Sequence, residues 1–228
     1  ENIAPYSQWQ NLTFDPPMVM FSANQYPDGR RKDTVLNAEE TGWFVWNMAT
    51  YDLREEVNKS AQVLDYGDSE WDRLSVTKEY ADNHHIPMVK ESPVKFECQY
   101  KTTLRVPGNS KVGSIDLVVA DVKTIHIDES VIDEEGKLDI LKIKPIARMG
   151  YFDYTVVTEK FEMRVPGSDD AARAGVRVSA RHRLAEIDRA PVVGIDQAEV
   201  GEFGALIQVG HARHGVAQQH LHQRVRRG

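Results

Sequence analysis

Two long segments of β-favouring residues, joined by a short turn, constrain the fold of this chain more than any other feature. Residues 92–106 (SPVKFECQYKTTLRV) alternate apolar and polar side chains as a half-buried strand does, and residues 112–128 (VGSIDLVVADVKTIHID) form a second such run. The GNSK sequence at 108–111 is typical of a hairpin turn. The pair therefore predicts an antiparallel β-meander.

The remaining periodic segments are short, and strands and helices do not alternate regularly. No glycine-rich fingerprint follows a strand, which disfavours a doubly wound parallel sheet. Five or six strands with short helices predict a mainly β fold, a closed antiparallel barrel. We predict strands at 16–23, 43–49 and 151–163, helices from Asp33 or Thr34 to Gly42 and at 51–62, a helical turn around 75–80, and a short helix within 138–150 broken near Pro145.

Composition restricts the class of ligand and the compartment. The chain has 228 residues, 41% of them hydrophobic, which is enough to bury a core. A net charge of −7 argues against nucleic-acid binding, and no apolar run approaches the roughly 18 residues of a membrane helix. A single cysteine, Cys98, cannot form an internal disulfide. We therefore expect a cytoplasmic protein with a small ligand, no nucleic-acid partner and no membrane segment.

The two ends of the chain differ from its body. It begins at Glu1 rather than Met and enters without a preceding strand, so we expect a processed or truncated form. Residues 1–168 contain all twelve lysines, whereas residues 169–228 contain none, together with nine arginines and five histidines. We predict one domain over 1–168 and a poorly ordered tail over 169–228; a helical extension at 169–189 is the alternative.

Residues 30–34 (RRKDT) open the first predicted helix with three cations. The first turn of a helix presents unpaired backbone N–H groups and a positive dipole end, so an anion such as a phosphate fits there. Lys32 adds a full charge, Thr34 offers a hydroxyl, and Asp33 is expected to cap the helix by accepting from the N–H of residue 35 or 36. The alternative is an exposed basic turn with a capped helix.

Residues 2–17 (NIAPYSQWQNLTFDPP) form a second polar stretch, directly before a predicted buried strand. Small and hydrogen-bonding residues in this position suit the polar edge of a cofactor. The two stretches together suggest a nucleotide pocket, and a solvated loop before the Pro-Pro corner is the alternative.

The single histidine and cysteine of the predicted strands are expected to be structural. We expect His126 to be a strand residue with its hydrogen bonds satisfied, and Cys98 to be a small buried apolar residue. The histidines His211, His214, His220 and His222 lack carboxylate or cysteine companions, so we predict no metal site.

The motifs NIAPYS, DPPMVMFS, KDT, ETGWFVWN, KSA, ESPVKFEC and PIARMGYFDY, in this order, resemble the flavin reductase-like, FMN-binding split-barrel family of the flavoredoxin type. The resemblance covers about residues 2–165. It implies a homodimeric Greek-key split barrel with FMN at the subunit interface. It also implies that Met149 to Tyr154 reach toward the flavin of the partner subunit.

The resemblance also implies which residues contact the cofactor. Ser22, Lys32, Asp33 and Thr34 match positions around the FMN phosphate and ribityl chain. The segment from Gln10 to Thr13, read as a loop, matches the one that borders the flavin ring, with the backbone of Asn11 and Leu12 at its polar edge. The full predicted FMN-binding set is Tyr6, Ser7, Gln10, Asn11, Leu12, Thr13, Ser22, Lys32, Asp33, Thr34 and Asn47.

The resemblance implies an NAD(P)H-dependent flavin reductase that passes electrons to a second flavin, a monooxygenase partner or another acceptor. No protein nucleophile is required, since the cofactor performs the redox chemistry. A noncatalytic FMN carrier or electron-transfer protein on the same barrel is the alternative. A relative that binds pyridoxal phosphate at the same helix start is a third, weaker possibility.

Overall fold

A computed structural model describes residues 1–163, apart from 66 and 82–84, together with the backbone of the strands at 205–209 and 225–226. Its α-helices are α1 (Asp33–Thr41), α2 (Arg54–Lys59) and α3 (Ile140–Ile143), with 3-10 turns at Glu70–Arg73 and Glu129–Val131. Its strands are β1 (Asn2–Tyr6), β2 (Trp9–Phe14), β3 (Pro17–Asn24), β4 (Trp43–Met48), β5 (Lys78–Tyr80), β6 (Pro87–Val89), β7 (Val94–Val106), β8 (Ile115–Ile127), β9 (Ile146–Gly150), β10 (Asp153–Val156), β11 (Ala205–Val209) and β12 (Val225–Arg226).

One eight-stranded sheet forms the body of the protein. Its neighbouring strands follow the order β1, β11, β4, β7, β8, β3, β2, with β12 added in parallel to β8. The predicted meander is the β7–β8 hairpin, which pairs from Val94 opposite Ile127 to Val106 opposite Ile115, with register shifts between Glu97 and Cys98 and between Tyr100 and Thr102. Two further hairpins, β5–β6 and β9–β10, lie outside this sheet. The mainly β, antiparallel prediction is therefore confirmed.

Aromatic side chains close the sheet into a barrel. Trp9 on β2 stacks on Trp46 of β4 with ring centroids 5.3 Å apart, although these strands are far apart in the strand order. Tyr6 on β1 packs on Phe21 of β3 at 4.8 Å, and Phe21 meets Phe44 of β4 edge-on at 5.3 Å. These contacts cross the interior and bury apolar surface from both ends of the sheet.

Three local predictions were wrong. The segment Gln10–Thr13 is part of strand β2, not a loop, because its exposure alternates with period two beside the buried Trp9. The helical turn expected at 75–80 lies at Glu70–Arg73, where Trp71 is buried. The strand expected over 151–163 is only Asp153–Val156, because the chain reverses at Gly150 and Tyr151, both with positive φ, to form the β9–β10 hairpin.

Helix α1 confirms the predicted helix, with a different start. Gly42 ends it in the left-handed conformation at φ 76°, which glycine adopts without steric cost. At the other end Lys32, not Asp33, is the N-cap residue, and its extended backbone lets its carbonyl accept from the N–H groups of Val35 and Leu36. The predicted order of the 169–228 tail lies outside the described residues, apart from β11 and β12.

Candidate functional site

The start of α1 lies at the end of a tightly bonded turn. Tyr26 N–H donates to the carbonyl of Arg30 at 2.8 Å, and Gly29 N–H donates to the carbonyl of Tyr26 at 2.8 Å. Gly29 has φ 89°, a conformation that disfavours other residues. The N–H groups of Asp33 and Thr34 precede the first intrahelical bonds, which Val35 and Leu36 donate to Lys32, so they have no intrahelical partner.

The three cations of this turn have different partners. Arg30 is paired with Asp28 at 2.6 Å. Arg31 donates to both carboxylate oxygens of Glu39, at 2.8 and 2.6 Å. Lys32 forms no ion pair within the described part of the chain, and its Nζ lies 3.6 Å from the centroid of the Tyr26 ring. Lys32 is therefore the cation of this group whose hydrogen-bond donors are free to meet an anion.

A buried carboxylate fixes this turn against the sheet. Asp116 of β8 is fully buried and lies 2.9 Å from Nε of Arg31. Asp116 is directly opposite Ala23 of β3, the residue after Ser22. Ser22 in turn donates its N–H to the carbonyl of Gln8 at 2.9 Å, in the turn between β1 and β2. The structure thus brings the helix start, Ser22 and the turn at residues 7–8 into one region.

Thr34 points into the protein rather than into solvent. It is 1% exposed, and its hydroxyl accepts from Asn2 Nδ2 at 2.7 Å. Asn37, one helical turn later, donates to Asn2 Oδ1 at 2.9 Å. The Thr34 side chain therefore anchors α1 to β1, whereas its backbone N–H remains at the helix start.

The other predicted site residues lie in different surroundings. Tyr6 is buried in the core, and Ser7 is exposed in the following turn. Within the segment from Gln10 to Thr13, Gln10 and Leu12 are exposed, whereas the other two residues are half-buried on β2. Asn47 is fully buried on β4, and its Oδ1 accepts from the N–H of Val89 at 2.9 Å, so its amide supports the β4–β6 contact.

Sequence reasoning missed Tyr26, Asn2 and Asn37. Asn37 could have been found from spacing, because it follows Thr34 by three residues and so lies on the same buried face of the helix. Tyr26 and Asn2 had no comparable local signal, because each meets the helix start from a different segment of the chain.

Burial sets the electrostatics of the helix start. Partial desolvation lowers the pKa of Lys32 and raises the pKa of Asp33, so each charge is less stable there than in water. Burial, followed by the charge of Asp33, raises the pKa of Tyr26. A bound anion would offset the desolvation of the Lys32 ammonium, so the cation, the open N–H groups and the partial burial together fit a phosphate.

A second feature is the exposed β9–β10 hairpin. Phe152 at its tip is 96% exposed and Met149 is 70% exposed. A cavity of about 500 Å³ lies between this hairpin and α2, with Arg54 and Arg148 at its wall.

The described residues contain no cluster of three or more metal-ligating side chains. None of the helices described is both long and apolar enough to cross a bilayer.

Residues 1–154 match the flavin reductase like domain. The uncharacterized protein YwrF of Bacillus subtilis is 31% identical over 166 residues, which cover 72% of this chain and 80% of that protein. Nitrilotriacetate monooxygenase component B from Bacillus cereus is 28% identical with a TM-score of 0.65, over 70% of this chain and 78% of that one. A Shewanella frigidimarina protein described as having a split barrel domain superposes with a TM-score of 0.61 at 20% identity, over 73% and 79% of the two chains.

Proposed function

The chain belongs to the flavin reductase-like family, and from this membership we propose that it binds FMN and acts as an NAD(P)H-dependent flavin reductase. Family and fold support a flavin-related oxidoreductase function. The observation that carries the proposal is the domain match over residues 1–154, which includes every residue of the helix start. The uncommitted ammonium of Lys32 supplies the matching chemistry within this chain.

Lys32 and the N–H groups of Asp33 and Thr34 would hold the FMN phosphate. An ammonium beside a helix N-terminus stabilises a dianion through charge and through directed hydrogen bonds. Ser22 would contact the ribityl chain, since the ion pair of Arg31 with Asp116 holds the helix start near β3. The Thr34 hydroxyl, which is committed to Asn2, would act by fixing α1 in place.

The flavin ring would lie along the segment from Gln10 to Thr13. Strand β2 presents exposed side chains and backbone groups there, and Asn11 and Leu12 would face the polar ring edge. Tyr6 and Ser7 would border the same region, and Asn47 would support it from β4. Bound FMN supplies hydride chemistry, while the protein supplies orientation and electrostatics.

The proposed assembly is a homodimer with FMN at the interface. The exposed tip of the β9–β10 hairpin supports this, because several large apolar side chains exposed on one hairpin are typical of a protein contact. A relative of similar structure is component B of a monooxygenase, so we propose that electrons pass to a monooxygenase partner, a second flavin or another acceptor.

Anaerobic mixing tests the activity. The purified protein with FMN should bleach the flavin absorption when NADH or NADPH is added under nitrogen. Tight FMN binding without bleaching by either nucleotide would contradict the reductase proposal and favour an FMN carrier. A protein that binds no FMN would contradict both.

A substitution tests the site. Lys32→Met should weaken FMN binding about 10-fold or more, as expected for a lost charge-assisted phosphate contact of about 1.4 kcal/mol or more. Lys101→Met, on the exposed part of β7, is the matched control and should leave the affinity unchanged. Equal affinities for wild type and Lys32→Met, measured by flavin fluorescence quenching, would place the phosphate elsewhere.

A further inference from the structure

Lys32 is held by an aromatic ring instead of a carboxylate, in a turn where both neighbouring cations are paired with carboxylates. We propose that Tyr26 is a positioning residue whose ring holds the Lys32 ammonium in place for the FMN phosphate. This inference rests on the proposed function, because it concerns the same site.

A π face restricts a lysine without using its hydrogen-bond donors. The attraction between an ammonium and the face of a tyrosine is electrostatic, so it limits the side-chain rotamers of Lys32. The three N–H donors are not taken up by an acceptor and stay available to phosphate oxygens. A carboxylate in the same place would compete with the phosphate for the cation; the guanidinium of Arg30 is paired in this way with Asp28.

Tyr26 is itself well fixed. Its backbone N–H and carbonyl both bond within the turn, to Arg30 and Gly29, at 2.8 Å each. The guanidinium carbon of Arg30 also lies 5.1 Å from the ring centroid. The ring therefore presents a pre-organised face, and the conformational entropy lost when Lys32 meets an anion is reduced.

The comparison of FMN with riboflavin isolates this role, because the two flavins differ only by the phosphate. Tyr26→Leu should weaken FMN binding about 3- to 10-fold, the range expected for a partly desolvated cation–π contact, and leave riboflavin binding unchanged. Tyr26→Phe keeps the ring and should keep FMN affinity. In a Lys32→Met background, Tyr26→Leu should have no further effect on FMN. Tyr80→Leu, which removes an exposed tyrosine of the β5–β6 hairpin, is the control.

Several outcomes would overturn the inference. An equal loss of affinity for both flavins would show a purely structural role. A loss in Tyr26→Phe as large as in Tyr26→Leu would show that the hydroxyl acts, and an effect that persists without Lys32 would show a separate contact.

Wild-type protein that binds neither flavin would refute the proposed function itself. The contact can still be tested in that case by NMR. The Lys32 side-chain methylene protons should be shifted upfield by the Tyr26 ring in wild type and in Tyr26→Phe, and not in Tyr26→Leu. An unshifted wild-type signal would refute the contact, whatever the protein binds.

Discussion

Replacing Thr34 by valine should destabilise the fold while leaving the phosphate contacts in place. The substitution keeps the shape of the side chain and removes the hydroxyl that accepts from Asn2 Nδ2 at 2.7 Å. Thr34 is 1% exposed, so water cannot replace the lost partner. A buried polar group left without a partner costs about 1–3 kcal/mol. Because the Asn2 amide is the group left without a partner, and a methyl group fills the space, we expect a loss of about 1–3 kcal/mol.

Urea denaturation followed by tryptophan fluorescence measures this loss. The midpoint should fall with the m-value unchanged, since the surface exposed on unfolding stays the same. Thr102→Val on the exposed part of β7 is the matched control and should shift stability by less than about 0.5 kcal/mol. The reasoning would be refuted by Thr34→Val being as stable as Thr102→Val, or by a loss of FMN affinity without a loss of stability, because the hydroxyl would then serve the ligand.

Three further predictions concern the core and buried ionisable groups. Burial raises the pKa of Glu70, whose carboxylate accepts from the N–H of Ile3 at 3.1 Å. The carboxyl group therefore ionises at a lower pH in the unfolded state than in the native state. The free energy of unfolding falls as pH rises above the ordinary carboxyl pKa. Glu70→Gln should therefore gain stability relative to wild type as pH rises above about 4 in denaturation series, unlike the exposed control Glu135→Gln. Cys98 is fully buried and burial raises its thiol pKa, so a disulfide reagent should label it at least about 100-fold more slowly in the native state than in guanidinium; comparable rates would show that the core opens. Phe21→Ala should cost about 3–5 kcal/mol of unfolding free energy, measured as for Thr34→Val, and a cost below about 1 kcal/mol would contradict its place in the barrel core.

Predictions from local pattern were the most accurate. The β7–β8 hairpin and the end of α1 at Gly42 follow from alternation and from a glycine at the right position, and both are present. The prediction of a loop at Gln10–Thr13 was wrong because this segment is polar but alternates in exposure as a strand does, starting from the buried Trp9. The prediction that Asp33 caps the helix was also wrong, because the extended backbone of Lys32 makes that residue the N-cap.

The sequence by itself determined the class of the fold and the position of a candidate anion site at residues 30–34. Strand alternation, helix ends and turn residues depend on neighbours along the chain, so the sequence carries them directly. The tertiary structure alone decided which of those residues face a ligand. Thr34 turns inward to meet Asn2 from 32 positions away, and Arg31 is taken up by Asp116 from 85 positions away. Lys32 is left with the face of Tyr26. Such contacts depend on how the strands pair and on which side chains the barrel buries, and no spacing within RRKDT carries that information.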